Sequence, residues 1–265
     1  MNELQNALVN ISEQFLKICD LLGLKYYAAN GTALGAVKYN GFIPWDDDVD
    51  FAMPRKDYEV FCEKASDYLP QNIFVQNYKT DKNFPLLYTK LRNSDTTFIE
   101  NEVKHLDMNH GIYIDIFPLD DLPDKVASQK CLSVKLKVLR AMQFCGFDNT
   151  NKMHHKLFRL LGYHKKTQKT LFKMEKIIKK IKSDANQCCD YADRQGKGCF
   201  SWEVYGNGVL VKFERLELIV PEKFDVYFTY KYGEWRAELP VEKQQSHHNV
   251  FAYDLNKSYT ETNKK

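Results

Sequence analysis

The chain has 265 residues, of which 44% are hydrophobic, 14% aromatic and 28% charged, a mix that excludes a disordered or fibrous protein. At this length folding buries roughly 70–75% of the surface that the unfolded chain exposes, so neither a metal nor a disulfide is needed to hold a core. A mean hydropathy of -0.51 and the lack of an apolar run near ~20 residues predict no membrane-spanning helix. The first 17 residues show no basic start followed by an apolar stretch, so no secretory leader is expected. Seven cysteines (19, 62, 131, 145, 188, 189 and 199) form an odd set without a CxxC pair. They read as reduced thiols in a cytoplasmic protein. The net charge of +3 is unevenly spread. Residues 125–182 hold 16 lysines and arginines against Asp148 and Glu175, a net of +14, which leaves the rest of the chain at −11. An acidic body with a basic insert suggests an anionic partner: nucleic acid, an anionic polymer or a membrane surface.

In chain order, Leu4, Leu8, Ile11, Phe15, Ile18 and Leu22 follow helical spacing and predict a helix from about residue 3 to a stop at Gly23. Residues 24–29 read as a short buried strand. Asn30-Gly31-Thr32 reads as a turn, with Thr32 capping a short helix through about Tyr39. Pro44 forces a turn, 47–53 predict a second strand, and 56–66 a short helix with Tyr58, Phe61 and Cys62 inward. Further strands are expected at 74–76, 86–92 and 111–117. After Pro123 come helices at about 125–143, 152–161 and 165–187, with Leu171, Met174, Ile178 and Ile181 at helical spacing. Strands at 208–213 and 216–220 and a helix at 222–231 follow, and the last dozen residues read as a frayed polar tail. The order of elements predicts an α+β fold, a mixed β-sheet core flanked by helices with a basic helical lobe.

The densest chemical signal is Trp45-Asp46-Asp47-Asp48-Val49-Asp50-Phe51. Carboxylates this close repel one another unless cations compensate. On an extended strand Asp46, Asp48 and Asp50 would share one face and Asp47 the other. Such hard oxygen ligands suit Mg²⁺ or Mn²⁺. Upstream, Gly31 and Thr32 at a helix start offer an anion cradle. Asp115 stands alone in an apolar alternating strand, where a metal shared with Asp48 and Asp50 would offset its cost. Lys90 and Arg92 fall on one strand face and suit phosphate neutralisation. The pair His247-His248 carries no signal by spacing alone.

The runs Asn30-Gly31-Thr32-Ala33-Leu34-Gly35, Gly41-Phe42-Ile43-Pro44-Trp45-Asp46-Asp47-Asp48-Val49-Asp50 and Arg55-Lys56-Asp57-Tyr58 closely resemble the LicD family of phosphotransferases. Lys90-Leu91-Arg92, Asp115-Ile116-Phe117-Pro118-Leu119-Asp120, Pro221, Tyr232-Gly233 and His247 extend the match over about residues 20–250. Tyr39 and Glu234 depart from the family pattern, standing where members often have His and Asp. The resemblance implies a nucleotidyltransferase-like core; with the charge and helical pattern this divides the chain into a catalytic core over 1–124, a basic helical lobe over 125–200, where little matches the family, and a C-terminal segment, 201–265, that returns to the core. It implies transfer of a phospho-alcohol, phosphocholine from CDP-choline above all, to a sugar hydroxyl of a surface glycan or teichoic acid precursor, with release of CMP. By position, Asp48, Asp50 and Asp115 would hold the metal, with Asp46 or Asp115 as base. Gly31, Thr32, Lys90 and Arg92 would face the donor phosphates. A choline cargo calls for aromatic faces, for which Trp202, Tyr205, Tyr232 and Trp235 are candidates. The basic lobe would rest on the inner face of a membrane beside a lipid-linked acceptor. Two other readings are a nucleotidyltransferase that uses the same carboxylates and releases pyrophosphate from an NTP, and a non-enzymatic protein whose basic lobe binds nucleic acid beside a vestigial acidic site. The lobe lacks the interleaved aromatics of a single-strand binder, so no nucleic acid is expected.

Overall fold

The structure, a computed structural model, describes residues 1–146, 153–193, 197–246 and 248–262. His247, one of the residues behind the family resemblance, lies outside them, as does the start of the helix expected at 152.

The N-terminal stripe forms α1 (Glu3–Leu22), opened by a capping box between Asn2 and Gln5 and closed by Gly23 at φ 61°. Leu8, Ile11, Phe15 and Ile18 are buried, and Phe15 stacks on Phe51 with ring centroids 4.3 Å apart. Side chains of this kind are worth ~1.5–3 kcal/mol each when buried, and they pin α1 against the sheet. β1 is only Tyr27–Ala28. α2 spans Asn30–Tyr39, so the expected turn is the first turn of the helix. β2 (Asp50–Pro54) begins only after the acidic run, which makes Asp46 to Asp48 a loop rather than a strand. α3 (Arg55–Lys64) buries Tyr58 and Phe61. β3 (Ile73–Gln76), β4 (Thr89–Asn93), β5 (Thr97–Glu100) and β6 (Ile112–Asp121) follow. β6 is buried along nearly its whole length, as a central strand with covered faces must be.

The lobe consists of α4 (Val126–Phe144), α5 (Met153–Leu160) and α6 (Thr167–Ile178). Leu132, Leu136 and Leu139 of α4 meet Met174 and Ile178 of α6 in a separate apolar cluster. The helix expected over 165–187 stops at Ile178, and Asn186, at φ 51°, turns the chain into β7 (Gln187–Asp190) and β8 (Cys199–Ser201). α7 (Trp202–Tyr205), the hairpin β9 (Val209–Phe213) and β10 (Leu216–Val220), and α8 (Phe224–Tyr232) then return to the core. The tail is docked rather than frayed through residue 262. β11 (Val250–Asp254) pairs with β5, and Tyr259, which opens α9 (Tyr259–Thr262), donates its amide to the Thr96 carbonyl.

Seven strands make the main sheet, in the order β1-β2-β6-β4-β3, with β7 and then β8 running beside the later half of β6. β2 and β6 are parallel and the other pairings of this sheet are antiparallel. The α+β expectation is met. No helix among the described residues is long and apolar enough to cross a membrane. One expectation is overturned: Cys189 and Cys199 are joined in a disulfide, and not every thiol is reduced. They sit opposite each other on β7 and β8 with Cα atoms 4.0 Å apart, a cross-strand closeness that the sequence spacing does not reveal. Cys188, one position earlier, faces the main core instead.

Candidate active site

The parallel register of β2 and β6 sets Asp50 opposite Asp115, and the antiparallel register of β6 and β4 sets Asp115 opposite Lys90. Three neighbouring strands thus align two carboxylates and an ammonium at one level. Lys90 Nζ lies 2.9 Å from Asp115 Oδ1 and 3.2 Å from the ring centroid of Tyr113, with both ends of the pair buried. Burial holds the Asp115 carboxyl above the usual range even though Lys90 pulls it down.

The first turn of α2 braces this arrangement. Thr32 does not cap its own helix: its hydroxyl accepts the Asp50 amide at 2.8 Å. Asn30 Nδ2 donates to Asp50 Oδ2 at 2.8 Å. A side chain on Gly31 would collide with Asp46, since a Cβ there would lie 2.6 Å from Asp46 Oδ2. Glycine at this position is what lets the acidic loop close over the start of α2. Gln5 of α1 ties the loop down by donating to the Asp46 carbonyl at 3.1 Å.

Asp46, Asp48 and Asp50 open together into a cavity of about 520 Å³, so the predicted shared face exists although a loop, not strand alternation, creates it. Burial, and then the Asp50 carboxylate, push Asp46 up to about 6. Burial, and then Asp46, push Asp48 up to about 8. Burial, with Asp48 and Asp115, holds Asp50 well above the usual range. These carboxylates are proton-hungry because they are desolvated and crowd one another. Among the described residues, no group of three or more His, Cys, Asp or Glu side chains is arranged to hold a metal ion as it stands. Asp46, Asp48 and Asp50 nonetheless offer all-oxygen donors that open on one cavity, the chemistry that a hard divalent cation would need.

Asp47 faces away, as alternation predicts, and finds partners that spacing did not show. His248 Nδ1 lies 2.8 Å from Asp47 Oδ1, and the Ser246 hydroxyl donates to Asp47 Oδ2. The other imidazole nitrogen lies 3.9 Å from Asp48 Oδ2. Burial works against charge on both partners. The hydrogen bonds from His248 and Ser246 nonetheless bring Asp47 below the usual range, and Asp47 and Asp48 bring His248 up to about 9.

Lys90 and Arg92 do not line the cavity. Arg92 is 1% exposed and donates to Gln76 Oε1 and the Gly111 carbonyl, so it braces the sheet. The cations on the cavity wall are Lys197 and Lys231, neither of which the sequence reading singled out. Lys231, near the end of α8, donates from Nζ to Asn30 Oδ1 at 2.5 Å and lies 3.5 Å from Asp193 Oδ2. Asn30 therefore links the acidic wall to the basic one. Of the aromatic candidates, Tyr232 lines the cavity, joined by Trp45, Tyr88 and Phe117. Tyr205 and Trp235 belong to the core, and Trp202 lines a different cavity.

Residues 23–138 match the nucleotidyltransferase domain of the LicD/FKTN/FKRP family. Over 274 aligned residues the chain is 25% identical to the lipopolysaccharide cholinephosphotransferase LicD of Haemophilus influenzae, covering 96% of this chain and 98% of that one. It is also 28% identical over 101 residues to an uncharacterised protein of Rickettsia prowazekii, RP689, covering 38% of this chain and 34% of that protein. The first match runs through the carboxylates, Lys90 and the C-terminal return alike, since it spans nearly the whole chain.

Proposed function

We propose that this chain, similar to the LicD phosphotransferases over residues 23–138 and to a lipopolysaccharide cholinephosphotransferase over nearly its whole length, is a LicD-type phosphotransferase that moves phosphocholine from CDP-choline to a sugar hydroxyl of a surface glycan, with a divalent cation, Mg²⁺ or Mn²⁺. The observation that carries this reading is one cavity lined by Asp46, Asp48 and Asp50 and also by Lys197 and Lys231. A site of that polarity accepts a cation and a diphosphate together.

Asp48 and Asp50 would hold the metal, which when bound would offset the negative charge of the donor's diphosphate. Lys231, which lines the same cavity, would add a fixed positive charge toward the phosphates. The acceptor oxygen forms its bond to the phosphorus next to choline, the bond from that phosphorus to CMP breaks, and the hydroxyl proton goes to a carboxylate. Asp46 would take it, a reading supported by its position on the cavity, whereas Asp115 is engaged by Lys90. Positioning does most of the work in such a transfer. Trp45, Tyr88, Phe117 and Tyr232 give the same cavity aromatic surface for a quaternary ammonium.

Calorimetric titration with CDP-choline, with and without Mg²⁺ and beside CTP and CDP-glycerol, tests the donor. Product analysis with a glycan acceptor tests the reaction. Metal-dependent binding of CDP-choline and acceptor-dependent CMP are expected. Preference for CTP with release of pyrophosphate would overturn the reading in favour of nucleotidyl transfer.

A further inference from the structure

α5 is inside out. At 100° per residue Met153, Leu157 and Leu160 fall in one stripe, and that stripe faces solvent: Met153 and Leu160 are each 85% exposed and Leu157 53%. Leu161, just past the helix, is 55% exposed. The side turned toward the lobe instead buries His155. A helix arranged for water alone places its apolar stripe inward. The surroundings are basic. Lys156 borders the stripe, and Lys165 and Lys166 follow in the next turn.

We propose that α5 is a membrane-surface element. Its aliphatic stripe enters the headgroup boundary of an anionic bilayer while the surrounding lysines engage lipid phosphates. An exposed apolar face rimmed by lysine is the pattern of helices that lie in the plane of such an interface, and each nearby basic residue adds attraction to a negatively charged leaflet. A second copy of the chain fits poorly, because it would bring one lobe of net +14 against another. A polynucleotide would meet the lysines and leave the aliphatic stripe in water. The inference goes beyond the reaction proposed above and does not rest on it.

The test is flotation of the full chain with vesicles of phosphatidylcholine alone or mixed with phosphatidylglycerol, at low and high salt. Binding about tenfold or more stronger to the anionic vesicles, weakened by salt, is expected. The double variant Leu157→Glu/Leu160→Glu should lose that binding and keep its melting temperature, since both side chains are already exposed. Leu160→Trp, on an otherwise intact surface, should shift its fluorescence to the blue on adding anionic vesicles. Equal binding to both vesicle types, undiminished binding by the double variant or no shift from Leu160→Trp would each overturn the proposal. So would a concentration-dependent dimer, seen by light scattering, that the double variant abolishes.

Discussion

Asp47 Oδ1 holds His248 Nδ1 at 2.8 Å, which orients the other imidazole nitrogen toward Asp48. A carboxylate that fixes an imidazole from behind is a recurrent positioning device at ionic sites. Asp47→Asn and His248→Gln are each expected to lower kcat about 10- to 100-fold with little change in melting temperature. Steady-state kinetics beside thermal melts would check this, and full activity in both variants would remove the pair from the site.

Asp48→Asn and Asp50→Asn should reduce turnover by roughly 100-fold or more while the fold is retained, the loss expected on removing a carboxylate that would hold the charge-neutralising cation. The pH dependence has a definite sign. Both carboxyls titrate higher in the folded chain than their ordinary value near 3.8. Their favourable contribution is therefore complete below that value and is lost as pH rises through the folded pKa, about 8 for Asp48. Metal-free wild type should lose stability between about pH 4 and 8, and each Asn variant should show a shallower slope in denaturant melts. Identical slopes would refute the burial and crowding argued for these groups.

Lys231→Met is expected to raise KM for the donor about tenfold or more, and Lys231→Arg to restore part of it, because a bidentate cation still meets phosphate there. Substitution of Lys90 should behave differently. Removing it strands the buried Asp115 carboxylate, so Lys90→Met should lower stability by ~3–5 kcal/mol. Chemical denaturation and donor titration on the same two variants separate the roles, and a stability loss confined to the Lys231 variant would reverse them.

The disulfide predicts a thiol count. Five of the seven cysteines are free, so the denatured, unreduced protein should titrate five thiols, and seven after reduction. Reduction should lower stability by ~2–3 kcal/mol, the loop-closure value for bridging residues this close in sequence. Seven thiols before reduction would show the pair open.

Much of this was legible in the chain. The stripe from Leu8 to Ile18 required a helix with one buried face, and the apolar run around Asp115 required a central strand. The grouping of Asp46, Asp48 and Asp50 was also readable, though for an incomplete reason: spacing by two assumes a strand, whereas the loop between Pro44 and Val49 achieves the same grouping through Gly31 and Gln5. Alternation put Lys90 and Arg92 on one face and could say nothing about what covers it. In the fold that face carries Tyr113, Gln76 and Gly111, which absorb Arg92. Lys231 and His248 were silent because each reaches the site from about 200 residues away, and no local pattern encodes such a contact. The bond between Cys189 and Cys199 was hidden likewise, since it depends on a strand pairing that sequence spacing did not predict.

The chain order of the site has a consequence for how the protein comes into being. Asp46, Asp48 and Asp50 are made early, Lys231 and His248 near the end, and Asn30 waits for Lys231 across 201 positions. The strands that set Asp50 beside Asp115 are complete once β6 has been made, well before Lys231 and His248. Competence thus arrives with the closing segment, and a protease that trims the chain ahead of α8 would remove Lys231 and His248 while sparing every strand of the main sheet.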